Sequence, residues 1–246
     1  MKSGILPKIL LSAVGLVAIF LWTFTLFAPS NLHSLHADTP RPSFSLKSEQ
    51  KQVALWFGDS FVTGDFASKP RKGFSYIVSQ HFGLFHKNLS EPGSGYLGNR
   101  EYALEVCGAE DCLSLLNALE KKKMLKADVI FVQAGLNDSG FESEDSGVVE
   151  NFYERLRVTY PSSIVISLSP THPYSEDEYL KKIQYFAKKY VTQIGGYYVD
   201  LGEPLVGHPE WLGADHFHPN DLGYEVLANL VIEKTTPIIQ KVLTID

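Results

Sequence analysis

Two short polar segments of the chain carry residue types that could perform nucleophilic catalysis. Asp215 and His218 lie three residues apart near the C-terminal end, in the sequence DHFHP. A neutral histidine is a suitable base for a serine hydroxyl, and a carboxylate on its other ring nitrogen fixes the tautomer and stabilises the cation that forms. Ser60, in the sequence GDSF, follows an apolar run and is the candidate hydroxyl. His216 is the rival base, but it adjoins Asp215, and adjacent side chains diverge.

Asn137 and a glycine-rich loop could supply hydrogen-bond donors to the same cleft. Asn137 lies in the sequence GLND after a second apolar run, and Gly93 and Gly95 would let a backbone amide approach a developing negative charge. Each feature also has a simpler explanation when taken alone. Ser60 could be a helix N-cap, Asn137 a turn residue, and the glycine loop a flexible turn.

A metal site is the competing chemistry near the C-terminal end. Asp215, His216, His218 and Asp221 are all potential metal ligands. No second group with ligand spacing lies elsewhere in the sequence. We therefore expect no metal at this site.

The elements that must position these residues alternate along the chain. Short apolar runs that end near glycine or polar residues predict strands buried on both faces. Helical patterns lie between them, so the chain reads as repeated βαβ units, and we expect a three-layer α/β/α sandwich with a mainly parallel, flavodoxin-like sheet. The predicted strands are 52–57, 127–133, 163–168 and 196–201, and the predicted helices are 75–85, 114–125, 148–159, 176–194 and 222–243.

A sheet of this kind binds its ligand beyond the carboxyl ends of the strands. Ser60 follows the first predicted strand and Asn137 follows the second. The pair Asp215 and His218 precedes the last helix, where Pro219 suits the first turn. The sequence therefore predicts that these four residues meet at one edge of the sheet.

Together, these motifs resemble the SGNH, or GDSL-type, hydrolase family. The resemblance rests on GDSF with Gly64, the loop Gly93–Gly95, GLND and DHFHP, and it spans about 53–230. It implies that Ser60 is the nucleophile, that His218 is the general base and then the acid, and that Asp215 orients His218. The implied reaction is hydrolysis of a carboxylic ester through an acyl-enzyme, without a metal or an organic cofactor.

The resemblance also implies an oxyanion hole, formed by the backbone amides of Ser60 and one loop glycine with the side chain of Asn137. Counting five residues from Asn88 favours Gly93, and Gly95 is the alternative. Phe61 stands where the family name has leucine. Asp59 and Asp138 are expected to be structural, bonding loop amides around the site.

Aromatic residues near the expected mouth could contact substrate. Tyr96 and Trp211 are the candidates for substrate binding, with Tyr174 nearby, although each could equally be a packing residue. We expect a small-molecule, glycan or lipid ester as substrate. An acyltransferase using the same triad, or a non-catalytic glycan-binding module, are the alternatives.

Composition limits the class of protein. The net charge is −6, so a nucleic-acid partner is not expected, because such a partner requires a cationic surface. Hydrophobic residues make up 44% of the chain, which excludes a disordered protein.

The N-terminal region differs from the rest of the chain. The run Ile9–Ala28 is uncharged and apolar, follows Lys2 and Lys8, and matches the length of about 20 residues that a membrane-spanning helix needs. We expect residues 1–28 to be a signal-anchor, with a cleaved signal peptide as the alternative, residues 29–50 an extracytoplasmic linker, and residues 51–246 the hydrolase domain. The domain would then lie outside a bacterial cytoplasmic membrane, or be secreted.

Cys107 and Cys112 are the two cysteines of the chain. In an oxidising compartment such a close pair can form a disulfide that closes a small loop. Free thiols are the alternative.

Overall fold

In the part of the chain that the structure describes, five short strands form one sheet in which every pairing is parallel. The computed structural model describes residues 51–98, 100–108, 112–121, 126–174 and 177–243. Across the sheet the strands follow the order β2-β1-β3-β4-β5, which is the flavodoxin-like order, so the predicted fold class is confirmed. In chain order the strands are β1 (Val53–Gly58), β2 (Phe85–Asn88), β3 (Val129–Gln133), β4 (Ile164–Leu168) and β5 (Tyr197–Val199).

Helices cover both faces of this sheet. Helices α2 and α7 pack on one face, and helices α4, α5 and α6 pack on the other. Three 3₁₀ turns complete the described elements, at Pro70–Lys72, Ser143–Asp145 and Pro209–Trp211. The helices are α1 (Ser60–Thr63), α2 (Phe74–His81), α3 (Arg100–Cys107), α4 (Leu115–Lys121), α5 (Ser146–Thr159), α6 (Glu178–Gln193) and α7 (Asp221–Leu243).

The central strands separate two hydrophobic cores. Successive side chains of a strand point to opposite faces, so Trp56 of β1 lies in the core with α2 and α7, while Leu55 and Phe57 lie in the core with α5. The ring of Trp56 stacks on Phe131 of β3, with centroids 4.1 Å apart. Because both faces are covered, β1, β3 and β4 are almost wholly apolar, which is why their sequences predict strands.

Strand β2 corrects the prediction of a helix over 75–85. Helix α2 ends at His81, and β2 begins at Phe85 as the edge strand beside β1. Three of the four residues in its sequence, FHKN, are polar, and its side chains alternate between exposed and partly buried, so it lacks the apolar run that marks the other strands. The sequence pattern does not indicate helix α3 either.

Two predictions concern regions that the structure describes only in part. Cys112 is disulfide-bonded, whereas the side chain of Cys107 lies outside the described residues. The apolar run Ile9–Ala28 lies outside them as well. Within the described ranges, no helix combines the length and the apolar character that a bilayer-spanning segment needs.

Candidate active site

Ser60 begins a one-turn helix directly after β1. Asp59 is the N-cap of α1, and its Oδ1 accepts a hydrogen bond from the Phe61 amide at 3.0 Å. Gly64 ends the helix after one turn in the left-handed conformation, with φ of 86°. The Ser60 side chain therefore projects from a sharp strand-to-helix turn, and only 8% of the residue is exposed.

Close packing around Gly58 holds this turn against β3. A Cβ atom at Gly58 would lie 2.3 Å from the Gln133 carbonyl oxygen and 2.4 Å from Cγ2 of Val62. The carbonyl oxygen of Val62 also accepts hydrogen bonds from Ser75 Oγ at 2.8 Å and from Asn88 Nδ2 at 2.9 Å. Strand β2 and helix α2 therefore both fix the position of α1.

The structure brings Ser60, His218 and Asp215 together in one hydrogen-bonded chain. His218 Nε2 lies 2.8 Å from Ser60 Oγ, although the two residues are 158 positions apart. On the other side of the ring, Nδ1 lies 2.5 Å from Asp215 Oδ2. This arrangement can take the proton of the serine hydroxyl and stabilise the resulting imidazolium.

The loop that carries Asp215 and His218 is held by its own backbone. Asp215 Oδ1 accepts hydrogen bonds from the amides of Phe217 and His218, both at 3.1 Å. The Gly213 amide donates to the His218 carbonyl oxygen at 2.7 Å. These bonds explain why a spacing of three residues places the carboxylate against the imidazole.

His216 lies in the same loop, but among the described contacts its side chain makes no hydrogen bond to Ser60. Its φ is 58°, a left-handed conformation that is uncommon for a non-glycine residue, and its carbonyl oxygen accepts a hydrogen bond from Tyr174 Oη at 3.2 Å. The imidazole that lies within hydrogen-bond distance of Ser60 Oγ is that of His218, which is the base that the sequence favours.

Three phenylalanine rings surround the His218 imidazole. Phe66 lies parallel to it, with centroids 5.4 Å apart and 7° between the planes. Phe61 is tilted at 5.2 Å, and Phe217 is perpendicular at 5.1 Å. No feature of the sequence indicated Phe66, because its position results from a backbone conformation rather than from a motif.

The carboxyl groups of the site differ in charge. Burial opposes ionisation of Asp215, but hydrogen bonds from His218 and from the Phe217 and His218 amides outweigh it and lower the pKa of Asp215. Asp215 therefore carries the charge that balances an imidazolium. Burial instead raises the pKa of Asp59 to about 7, against the hydrogen bond from the Phe61 amide.

The oxyanion-hole candidates lie on the loops after β1, β2 and β3. Asn137 Nδ2 donates one hydrogen bond to the Ser94 carbonyl oxygen at 2.9 Å, which leaves its second amide hydrogen for another acceptor. The Gly95 amide donates to the Leu113 carbonyl oxygen, whereas within the described residues the amides of Ser60 and Gly93 donate to no protein atom. This geometry favours Gly93 over Gly95.

Asp138 links the segment 96–98, which follows the glycine loop, to the turn after β3. Its two carboxylate oxygens accept hydrogen bonds from the amides of Tyr96, Leu97 and Gly98, at 2.8–2.9 Å. Asp138 is therefore a structural residue, as is Asp59 at the N-cap of α1.

The prediction that Tyr96 binds substrate at the mouth is wrong. Tyr96 is only 2% exposed, because Asp138 draws its backbone inward and its hydroxyl bonds the hydroxyl of Tyr153 at 2.7 Å. Trp211 is partly exposed, and its ring stacks on His208 at 3.6 Å. Tyr174 is exposed, and its hydroxyl donates to the His216 carbonyl oxygen in the loop that carries Asp215 and His218.

The residues of the metal alternative are engaged elsewhere. Asp221 accepts hydrogen bonds from the amide and the hydroxyl of Ser68, at 2.7 and 2.6 Å. Asp215 bonds His218 and two backbone amides. In the part of the chain that the structure describes, no three histidine, cysteine or acidic side chains group as metal ligands.

Sequence comparison assigns the chain to a family. Residues 56–226 match the model of the GDSL-like Lipase/Acylhydrolase family, which is more than half of the chain. The chain therefore belongs to this family of ester-hydrolysing enzymes. No curated protein matches it.

Solved structures support the same fold. The chain is similar to a family two carbohydrate esterase from Clostridium thermocellum in complex with cellohexaose, at a TM-score of 0.57 and 14% identity, with 77% of this chain and 65% of that chain covered. It is also similar to the salicylyl-acyltransferase SsfX3 from a tetracycline biosynthetic pathway, at a TM-score of 0.58 and 18% identity. That match covers 78% of this chain and 56% of the acyltransferase chain. The chain thus spans less than two thirds of the length of these two proteins.

A third structure is covered almost completely. It is phospholipase A1 from Streptomyces albidoflavus NA297, with a TM-score of 0.54 and 14% identity over 75% of this chain and 99% of that chain. At these identities the similarity concerns the fold alone.

Proposed function

We propose that this protein is a serine esterase that cleaves carboxylic esters through an acyl-enzyme on Ser60. The observation that carries the proposal is the continuous hydrogen-bonded chain from Ser60 Oγ through His218 to Asp215. A binding module would not need a base aimed at a serine hydroxyl.

In the first half of the reaction, Ser60 Oγ attacks the acyl carbon of the ester while His218 Nε2 takes its proton. The negative charge on the carbonyl oxygen is stabilised by the amides of Ser60 and Gly93 and by the Asn137 side chain. His218 then gives its proton to the oxygen of the leaving alcohol, and the acyl group remains on Ser60.

In the second half, His218 takes a proton from water, and the hydroxide formed attacks the acyl-enzyme. Collapse of the second tetrahedral intermediate releases the acid and returns the proton to Ser60 Oγ. The charge of Asp215, whose pKa is lowered by its hydrogen bonds, favours the imidazolium in both halves.

The test is labelling with a fluorophosphonate followed by peptide mapping, because this probe needs an activated serine but no knowledge of the substrate. We expect the label on Ser60 and turnover of a short-chain p-nitrophenyl ester. The Ser60→Ala variant should lose both while its melting temperature stays close to that of the wild type. Labelling at another serine, or undiminished turnover in this variant, would contradict the proposal.

Acyl transfer to an alcohol is the second candidate, favoured by the similarity to a salicylyl-acyltransferase. The same acyl-enzyme would be attacked by an alcohol instead of water. Product analysis in the presence of a sugar or glycerol acceptor distinguishes the two. A new ester formed in preference to the free acid would assign the protein as a transferase.

The natural substrate is proposed from the N-terminal sequence and from similar proteins. The apolar run Ile9–Ala28 supports a domain anchored outside the cytoplasmic membrane, where esterified envelope glycans, glycolipids and lipids are accessible. The similar structures include a carbohydrate esterase and a phospholipase, which accords with either class. Membrane fractionation of the full-length protein tests the anchor, and recovery in the soluble fraction would contradict it.

A further inference from the structure

Phe66 occupies a position that neither burial nor backbone preference explains. Its φ is 65°, in the left-handed region that an L-residue with a bulky side chain rarely adopts. Burial of the ring does not compensate for this backbone conformation, since 51% of the residue is exposed. Among the described residues, only Phe66 and His216 combine a positive φ with a non-glycine side chain. One lies in the loop of Asp215 and His218, and the other packs on His218. Strain of this kind concentrates at functional sites.

The Phe66 ring lies parallel to the His218 imidazole in an offset stack. The two ring planes differ by 7°, and their centroids are 5.4 Å apart. Gly213 provides the space for this ring, because a Cβ atom at position 213 would lie 2.8 Å from Phe66 Cδ1 and 2.9 Å from Phe66 Cβ. The Gly213 amide donates to the His218 carbonyl oxygen, so the loop that holds the base also accommodates Phe66.

The two hydrogen bonds of His218 lie near the plane of its ring, so they restrain a tilt of the ring out of that plane only weakly. Ser60 Oγ and Asp215 Oδ2 bond the two nitrogens at the edges of the imidazole. The bond to Ser60 is lost when the serine carries an acyl group, yet the base must stay in place to activate water. A ring packed on the imidazole face restrains His218 at that stage and attracts its protonated form.

We propose that Phe66 is a positioning residue that keeps the His218 imidazole in line between Ser60 and Asp215 during both halves of the reaction. This inference rests on the proposed esterase function. It predicts that the ring of Phe66 matters equally for acylation and for deacylation, because His218 transfers a proton in each.

The experiment compares Phe66→Leu and Phe66→Tyr by rapid-mixing kinetics with p-nitrophenyl acetate. In Phe66→Leu, we expect the acylation rate constant and the deacylation rate constant each to fall by about tenfold. This is less than the loss expected on removing a general base, because a misaligned His218 still transfers protons. Phe66→Tyr keeps the stacked ring and should restore both rates to within about twofold of the wild type. The affinity for the substrate before acylation should change little in either variant.

Phe85→Leu is the matched control, because Phe85 is also a half-exposed phenylalanine, at 49%, and begins the edge strand β2 at the opposite end from the site. It should leave both rates unchanged. Melting temperatures of all variants should stay close to that of the wild type, since each substitution changes a half-exposed side chain.

Two results would overturn the inference. Unchanged rates in Phe66→Leu would show that the ring does not support the base. A loss confined to acylation would instead make Phe66 a contact of the leaving alcohol. Absence of fluorophosphonate labelling in the wild type would refute the esterase function itself, together with this inference.

Discussion

Asp59 and Asp138 are almost completely buried, and each is only 1% exposed. Asp138 meets three backbone amides, whereas Asp59 meets one amide through Oδ1 and leaves Oδ2 without a hydrogen-bond partner among the described residues. Burial therefore raises the pKa of Asp59 to about 7, and the nearby Asp138 carboxyl adds to the shift. The residue next to the proposed nucleophile thus titrates close to neutral pH.

This pKa predicts how Asp59 affects stability. The native state keeps the proton up to about pH 7, whereas the unfolded chain releases it near the ordinary value of 3.8. The native state binds more protons in this window, so the contribution of Asp59 to the free energy of unfolding falls as the pH rises from about 4 to 7. Asp59→Asn should remove this loss and raise the melting temperature at pH 8 more than at pH 4. An equal effect at both values would contradict the assignment.

Substitution of Asn137 is expected to reduce turnover, although it also removes the hydrogen bond from Asn137 to the Ser94 carbonyl oxygen. Asn137→Ala removes one proposed oxyanion donor, and kcat should fall by about 100–1000-fold. Fluorophosphonate labelling of Ser60 should slow but still occur, because the triad is intact. Asn151→Ala, on an exposed position of α5, is the matched control and should leave kcat unchanged. A rise in KM with unchanged kcat would place Asn137 in ground-state binding instead.

At the scale of elements, the contact between β2 and α2 carries a second titrating group. His86 of β2 is partly buried, its Nε2 lies 3.2 Å from Ser75 Oγ of α2, and burial lowers its pKa to about 4. The native state therefore keeps His86 neutral down to about pH 4, while the unfolded chain takes up the proton near pH 6.5.

Acid should weaken this contact. Between about pH 6.5 and 4 the unfolded state binds more protons, so the contribution of His86 to the free energy of unfolding falls as the pH falls. His86→Gln should reduce the loss of stability over this window, as measured by urea unfolding at pH 7 and pH 4.5. His81→Gln, a matched control at the end of α2, should not. The effect of Asp59 has the opposite sign, so the two substitutions separate the contributions.

The elements also show what a single sequence could predict. Strands β1, β3 and β4 are buried on both faces, so local composition alone identifies them. Strand β2 is an edge strand whose place depends on pairing with β1, and its mostly polar sequence carries no such signal.

The residues of the site also differ in how far the sequence could predict them. Asp215 and His218 could be predicted because their geometry depends on a local loop of fixed spacing. Tyr96 could not be placed, since the direction of its side chain depends on amide bonds to Asp138, which is 42 positions away. The stack of Phe66 on His218 depends on a left-handed backbone and on the space at Gly213, and neither is visible in sequence.

At the scale of the whole molecule, residues 51–246 should function without the N-terminal region. All residues of the proposed triad and oxyanion hole lie in the unit Glu49–Asp246. We expect a protein that starts at Lys51 to hydrolyse p-nitrophenyl acetate, and to do so equally in EDTA, because Ser60 and His218 supply the nucleophile and the base. Loss of activity on chelation, with recovery on adding zinc, would support the metal alternative instead.

The 158 positions between Ser60 and His218 have a consequence for biogenesis. The serine emerges early in synthesis, but its imidazole partner arrives only with the segment that leads into the final helix. A nascent or truncated polypeptide therefore carries Ser60 without the imidazole that bonds it in the folded protein. We therefore expect no esterase activity until the loop of Asp215 and His218 has folded against Ser60.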